Sequence, residues 1–107
     1  MFNQQELEMP KDKMIAIENI NIPGRSSNVN ATKYLAMREV LLKVLPTTGP
    51  GFTQAEMGDS IRPHLPQGLW PHGEKSTWWL KTVQLDLEAK GLIVRDISSK
   101  PARWRRA

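Results

Sequence analysis

The sequence predicts an α+β fold, mainly α. Three observations carry this: three stretches with helical apolar periodicity and capping signals, a C-terminal pair of short alternating runs split by a turn, and an isoleucine-bearing extended stretch ahead of the first helix. A chain of 107 residues has the size of one compact domain, and a hydrophobic fraction of 39% with four tryptophans suits one packed core. The expected organisation is a flexible lead-in over residues 1–13 and a single domain over 14–107, whose first part, 14–28, is an N-terminal extension.

The lead-in MFNQQELEMPKDK mixes charge with few apolar anchors. From Met14 to Pro23, isoleucines at 15 and 17 and then at 20 and 22 change parity at Glu18–Asn19. That predicts two short extended pieces with a break between them, followed by a loop through Pro23–Gly24 and Ser26–Asn28. The first helix starts at Asn30, an N-cap type, and runs to Leu45 before Pro46. Val29 and Tyr34 have the spacing of a hydrophobic staple, and Tyr34, Leu35, Leu41, Leu42 and Leu45 are assigned to the inward face.

Thr53-Gln-Ala-Glu56 is a capping box stapled by Phe52 and Met57, so a second, short helix carries Met57 and Ile61 inward and ends near Pro63. The proline- and glycine-bearing stretch His64–Glu74 connects it to a third helix, tucked onto the core by Leu65, Leu69 and Trp70. Ser76 is the expected cap of that helix and Gly91 its terminator. Leu92–Arg95 and Ala102–Arg105 then read as two antiparallel strands around a turn. Helix, helix, helix, hairpin is the order of a winged helix-turn-helix, with three helices, a C-terminal β-hairpin wing and, here, an extended N-terminal segment.

The net charge of +4 is unevenly placed. Residues 1–74 carry seven basic and eight acidic side chains, whereas residues 75–107 carry eight basic (Lys75, Lys81, Lys90, Arg95, Lys100, Arg103, Arg105, Arg106) against three acidic. Such asymmetry points the C-terminal third at a polyanion. On the third helix, Trp79, Leu80, Val83 and Leu87 form the inward stripe, leaving Trp78, Lys81, Thr82, Leu85 and Ala89 outside. In a winged helix that outer face enters the major groove. Lys75, Thr77, Lys81 and Thr82 are therefore the helix's candidate nucleic-acid contacts, and Arg95, Lys100, Arg103 and Arg105 the wing's. Trp78 and Leu85, seven residues apart, add an outward apolar stripe that needs a cover and form a candidate interface. Either the segment 14–22 or the same face of a second subunit in a homodimer would supply that cover.

From Glu18 to Trp104 the chain resembles a group of small bacterial proteins forming a domain-of-unknown-function family. The resemblance rests on Glu18-Asn19 with Pro23-Gly24-Arg25, Lys33-Tyr34 with Ala36-Met37, Thr53-Gln-Ala-Glu56, Trp78-Trp79 with the run Lys81 to Gly91, and Pro101 with Arg103-Trp104. It implies a winged-helix-like fold and no assigned activity. The run from Leu87 to Arg95 also looks like the recognition helix and first wing strand of many bacterial winged-helix transcription factors.

Other chemistry finds no motif. There is no cysteine, hence no disulfide, thiolate nucleophile or Cys-based zinc site, which suits a cytoplasmic protein. The two histidines, His64 and His72, fall short of the three or four ligands zinc takes. Gly49-Pro-Gly51 lacks the Lys-Ser/Thr sequel of a phosphate loop, and Asp86 and Glu88, two apart on a helix, point to different sides and make no catalytic dyad. The reading is thus a non-enzymatic DNA-binding protein, a transcriptional regulator, with double-stranded DNA as partner and no cofactor, membrane or small-molecule substrate indicated. The alternative is a protein-interaction or dimerisation module on the same scaffold without DNA binding.

Overall fold

The computed structural model describes residues 13–107. The chain forms β1 (Met14–Glu18), β2 (Ser26–Asn30), α1 (Ala31–Val44), α2 (Gln54–Ile61), α3 (Ser76–Ala89), β3 (Ile93–Asp96) and β4 (Arg103–Arg106). It is an α+β fold of three helices and two small antiparallel sheets, β1–β2 and β3–β4. All of the expected lead-in except Lys13 lies outside the described residues.

The N-terminal hairpin departs from expectation in its second half. β1 ends at Glu18, where the parity changes, but Ile20 and Ile22 sit in a turn rather than a second extended piece, with the Ile22 N–H donating to the Asn19 carbonyl at 2.9 Å. The expected loop Ser26–Asn28 is instead the start of β2, paired from Glu18 opposite Ser26 to Met14 opposite Asn30. Ser-Ser-Asn-Val-Asn has no apolar alternation of its own. Pairing with β1 makes it a strand, an instance of context outweighing local propensity.

α1 is capped as expected, the Asn30 side chain accepting from the Lys33 N–H at 2.9 Å. Its buried face runs through Ala31, Tyr34, Met37, Val40 and Leu41. Leu35 is 53% exposed and Leu42 only half-buried, so the inward stripe is turned toward Met37 and Val40 and away from the expected centre. Both leucines fall on the far edge of that stripe at 100° per residue. α2 carries the full capping box, with Thr53 and Glu56 each bonded to the other's backbone N–H, and buries Met57 and Ile61.

A short 3-10 turn at Arg62–His64, with Pro63 inside it, ends the second helical segment, and Leu65 and Trp70 fold the connector onto the core. α3 opens differently from expectation: Lys75 holds the cap position at φ 66°, and Ser76 lies inside the helix, its hydroxyl donating to the Gly73 carbonyl at 2.7 Å. The reversal after α3 is a Schellman arrangement. Gly91 adopts φ 75° while Leu92 and Gly91 donate to the Leu87 and Glu88 carbonyls at 2.9 and 3.1 Å.

One buried cluster joins all three helices to both hairpins, from Ile17 in β1 to Ile93 in β3 and Trp104 in β4. The C-terminal hairpin gains one added rung, on the other edge of β4, from the stretch between α1 and α2. Phe52 and Trp104 exchange backbone hydrogen bonds of 2.8 and 2.7 Å. Gly51, at φ 85°, makes that approach possible, because a Cβ there would stand 2.4 Å from the Trp104 carbonyl oxygen.

Candidate functional site

α3 lies between the two hairpins, and its outward residues meet a different environment on each flank. On the C-terminal flank, Lys81 Nζ sits 5.9 Å and Arg95 Cζ 5.4 Å from the centre of the Trp104 ring, so a helix cation and a strand cation both contact one aromatic ring. Arg95 is also clamped by Glu88, Nε to Oε1 at 2.9 Å and Nη2 to Oε2 at 3.0 Å, a bidentate pair between strand and helix.

The remaining candidate contacts are dispersed. Strand register puts Arg95 on the face of Trp104, whereas Arg103 and Arg105 share the opposite face with Asp96 and Val94. Arg103 donates to the Gly51 carbonyl at 3.0 Å and to Glu56 Oε1 at 3.2 Å, so its guanidinium secures the Phe52 rung. Arg105 reaches the Arg106 carbonyl at 3.2 Å. Lys100 is exposed in the β3–β4 turn, and Lys75 and Thr77 are exposed at the start of α3. A helix cation, Lys81, and a hairpin cation, Arg95, thus share the Trp104 ring, and Arg103 does not join them.

The N-terminal flank is organised by Asp86, which the sequence presents only as half of a non-catalytic acid pair. Asp86 is fully buried in α3. One carboxylate oxygen accepts the Glu18 N–H at 2.8 Å and the Lys90 ammonium, and the other accepts the Tyr34 hydroxyl. A buried carboxylate needs such donors, and here they come from β1, α1 and α3 itself. Burial first, then the hydrogen bond to Asp86 and its charge, raise the Tyr34 phenol well above its ordinary 10. A signal was present in the sequence. On the helical wheel Asp86 falls inside the inward arc beside Trp79, where an acid is out of place unless partnered.

Above this anchor, the hairpin and α3 enclose a cleft of about 370 Å³. Ile17, Ile22 and Val29 line it from the hairpin side and Trp78 and Leu85 from the helix, with Asn19, Arg25, Ser26, Ser27 and Thr82 around them. The segment 14–22 therefore does flank the second apolar stripe. It half-buries Leu85 but leaves Trp78 57% exposed, its ring packed edge-on against Trp79 at 5.1 Å. Thr82, expected among the nucleic-acid contacts, faces this cleft.

Among the described residues, no three His, Cys, Asp or Glu side chains gather as a metal site would require, and no helix is long and apolar enough to cross a membrane. Residues 14–104 match the model of a family described as a family of unknown function, DUF6958. No curated protein and no solved structure matches the chain.

Proposed function

The chain belongs to this family of unknown function, and we propose from its own geometry that it is a winged helix-turn-helix protein that binds double-stranded DNA and acts as a transcriptional regulator. The observation that carries this reading is the seating of Lys81 of α3 at the Trp104 ring of β4, where it pairs with no acid among the described residues while Arg95 at the same ring is paired with Glu88. It supports a positive charge at the junction of helix and hairpin, where a phosphate backbone would run. The Phe52–Trp104 rung supports the same reading, because it ties the hairpin to the helical body as a wing.

The roles of the candidate residues divide by how their charges are engaged. Lys75, Thr77 and Lys81 on α3, with Lys100 and Arg105 on the hairpin, are the contacts. Arg95 and Arg103 hold the hairpin against α3 and α2 through Glu88 and Glu56. Fluorescence anisotropy with a random duplex at low salt tests the reading. Binding in the micromolar range should fall steeply with salt, and Lys81→Ala should lower the salt slope by about one. Arg103→Ala should weaken binding less than Lys81→Ala does. An absence of binding at low salt overturns the reading.

A further inference from the structure

We infer that the cleft between the β1–β2 hairpin and α3 binds a small aromatic carboxylate, with its ring against Trp78 and its carboxylate on Arg25. The inference goes beyond DNA binding and does not depend on it. A volume of about 370 Å³ is that of a small-ligand site, with apolar walls supplied by Ile17, Val29, Trp78 and Leu85. The exposed indole of Trp78 gives a planar ring a surface to stack on.

The polar groups select the sign of the ligand. Two charged side chains line the cleft, Arg25 and Glu18. Glu18 lies 3.9 Å from Lys90 Nζ, an ammonium it shares with the buried Asp86, and turns largely to solvent, whereas Arg25 pairs with no acid among the described residues. Arg25 is therefore the charge in the cleft left open to a ligand, and it calls for an anion. Ser27 and Thr82, one on each wall, hold hydroxyls that bond to no other described residue and can serve the same anion.

The gap is also built rather than left over. In the hairpin register Ser27 stands opposite Ile17 on the strand face that carries Val29, the face turned to α3, and a larger apolar residue there would fill the space. One wall is held in place by the buried Asp86, which fixes the end of β1 through the Glu18 N–H.

The test is an NMR titration of the full chain with 2-naphthoate and, in parallel, with the uncharged 2-naphthamide. Saturable shifts are expected at the Trp78 indole N–H and at the Ile17 and Val29 methyls, with the carboxylate binding about tenfold tighter than the amide. Arg25→Gln should abolish that preference and leave amide binding unchanged, and Trp78→Ala should weaken both. Equal affinity for the two probes, shifts that fall elsewhere, or no saturable shift overturns the inference. So does a Trp78 resonance that moves with protein concentration alone, which would identify a second copy as the occupant.

Discussion

The two hairpins flank the same helix and are attached to it by different physics. The C-terminal hairpin is part of the core: Ile93 and Trp104 are buried, Phe52 adds a backbone rung, and Arg95 and Arg103 lock it to Glu88 and Glu56. The N-terminal hairpin has Ile17 as its one fully buried side chain among the described residues, and it is pinned through a single buried carboxylate. Hydrophobic burial is non-directional and fills space, whereas a hydrogen-bonded pin fixes position and leaves room beside it. The closed flank accordingly presents charge, and the pinned flank presents a cleft.

The largest blow to this contrast should come from Trp104→Ala. It empties a buried aromatic site shared by β4 and the helices, and urea denaturation should show a loss of about 4 kcal/mol with the whole molecule affected. Asp86→Ala should cost about 3 kcal/mol, since it strands the Tyr34 hydroxyl, the Lys90 ammonium and the Glu18 N–H together. Its signature in hydrogen exchange is selective: protection falls in β1–β2 and persists in β3–β4. Equal losses in both hairpins would erase the distinction drawn between them.

Gly51→Ala attacks the other attachment. A Cβ at φ 85° and 2.4 Å from the Trp104 oxygen must push the rung apart, at about 2 kcal/mol, and here exchange should rise in β4 first. Tyr34→Phe should cost about 1.5 kcal/mol at neutral pH, the worth of a hydrogen bond to a charged acceptor. It should also change the alkaline limb. Because the folded phenol titrates above its unfolded value, the wild-type contribution is whole below pH 10 and drains as pH rises beyond it, a slope the phenylalanine variant lacks.

The smallest effect concerns the capping box. The Thr53 N–H foremost, then the Arg103 charge, hold the Glu56 carboxyl below its ordinary 4.5, so its contribution is present above that value and is lost as pH falls through the lowered one. Glu56→Gln should flatten that part of the acid limb in a pH series of urea melts.

What the sequence disclosed follows the range of the interactions. Caps, staples and terminators are local, and Asn30, the Thr53–Glu56 box and Gly91 all perform as their positions indicate. The inward stripe of α3 was legible too, because Trp79, Leu80, Val83 and Leu87 repeat within one helix. β2 was not, since its strand character is lent by β1, and the edge of the α1 stripe was misplaced because Leu35, on the far edge of that stripe, stays 53% exposed. Of the candidate contacts, Arg95 and Arg103 were recognised as basic, but their partners, Glu88 and Glu56, lie 7 and 47 residues away in sequence. The role of Asp86 was not legible, because its partners Tyr34 and Glu18 lie 52 and 68 residues away; its misfit on the wheel was the signal that could have shown it.

The four tryptophans give the contrast an optical form. Trp70, Trp79 and Trp104 are buried and Trp78 is open to water. Emission from the native protein should therefore divide into a blue component that an aqueous quencher such as acrylamide barely touches and a red component that it removes first. The side of α3 that is left unfilled carries its own lamp, and anything that settles there, whether a small anion or another chain, would dim or shift that light before the rest of the molecule registered a change.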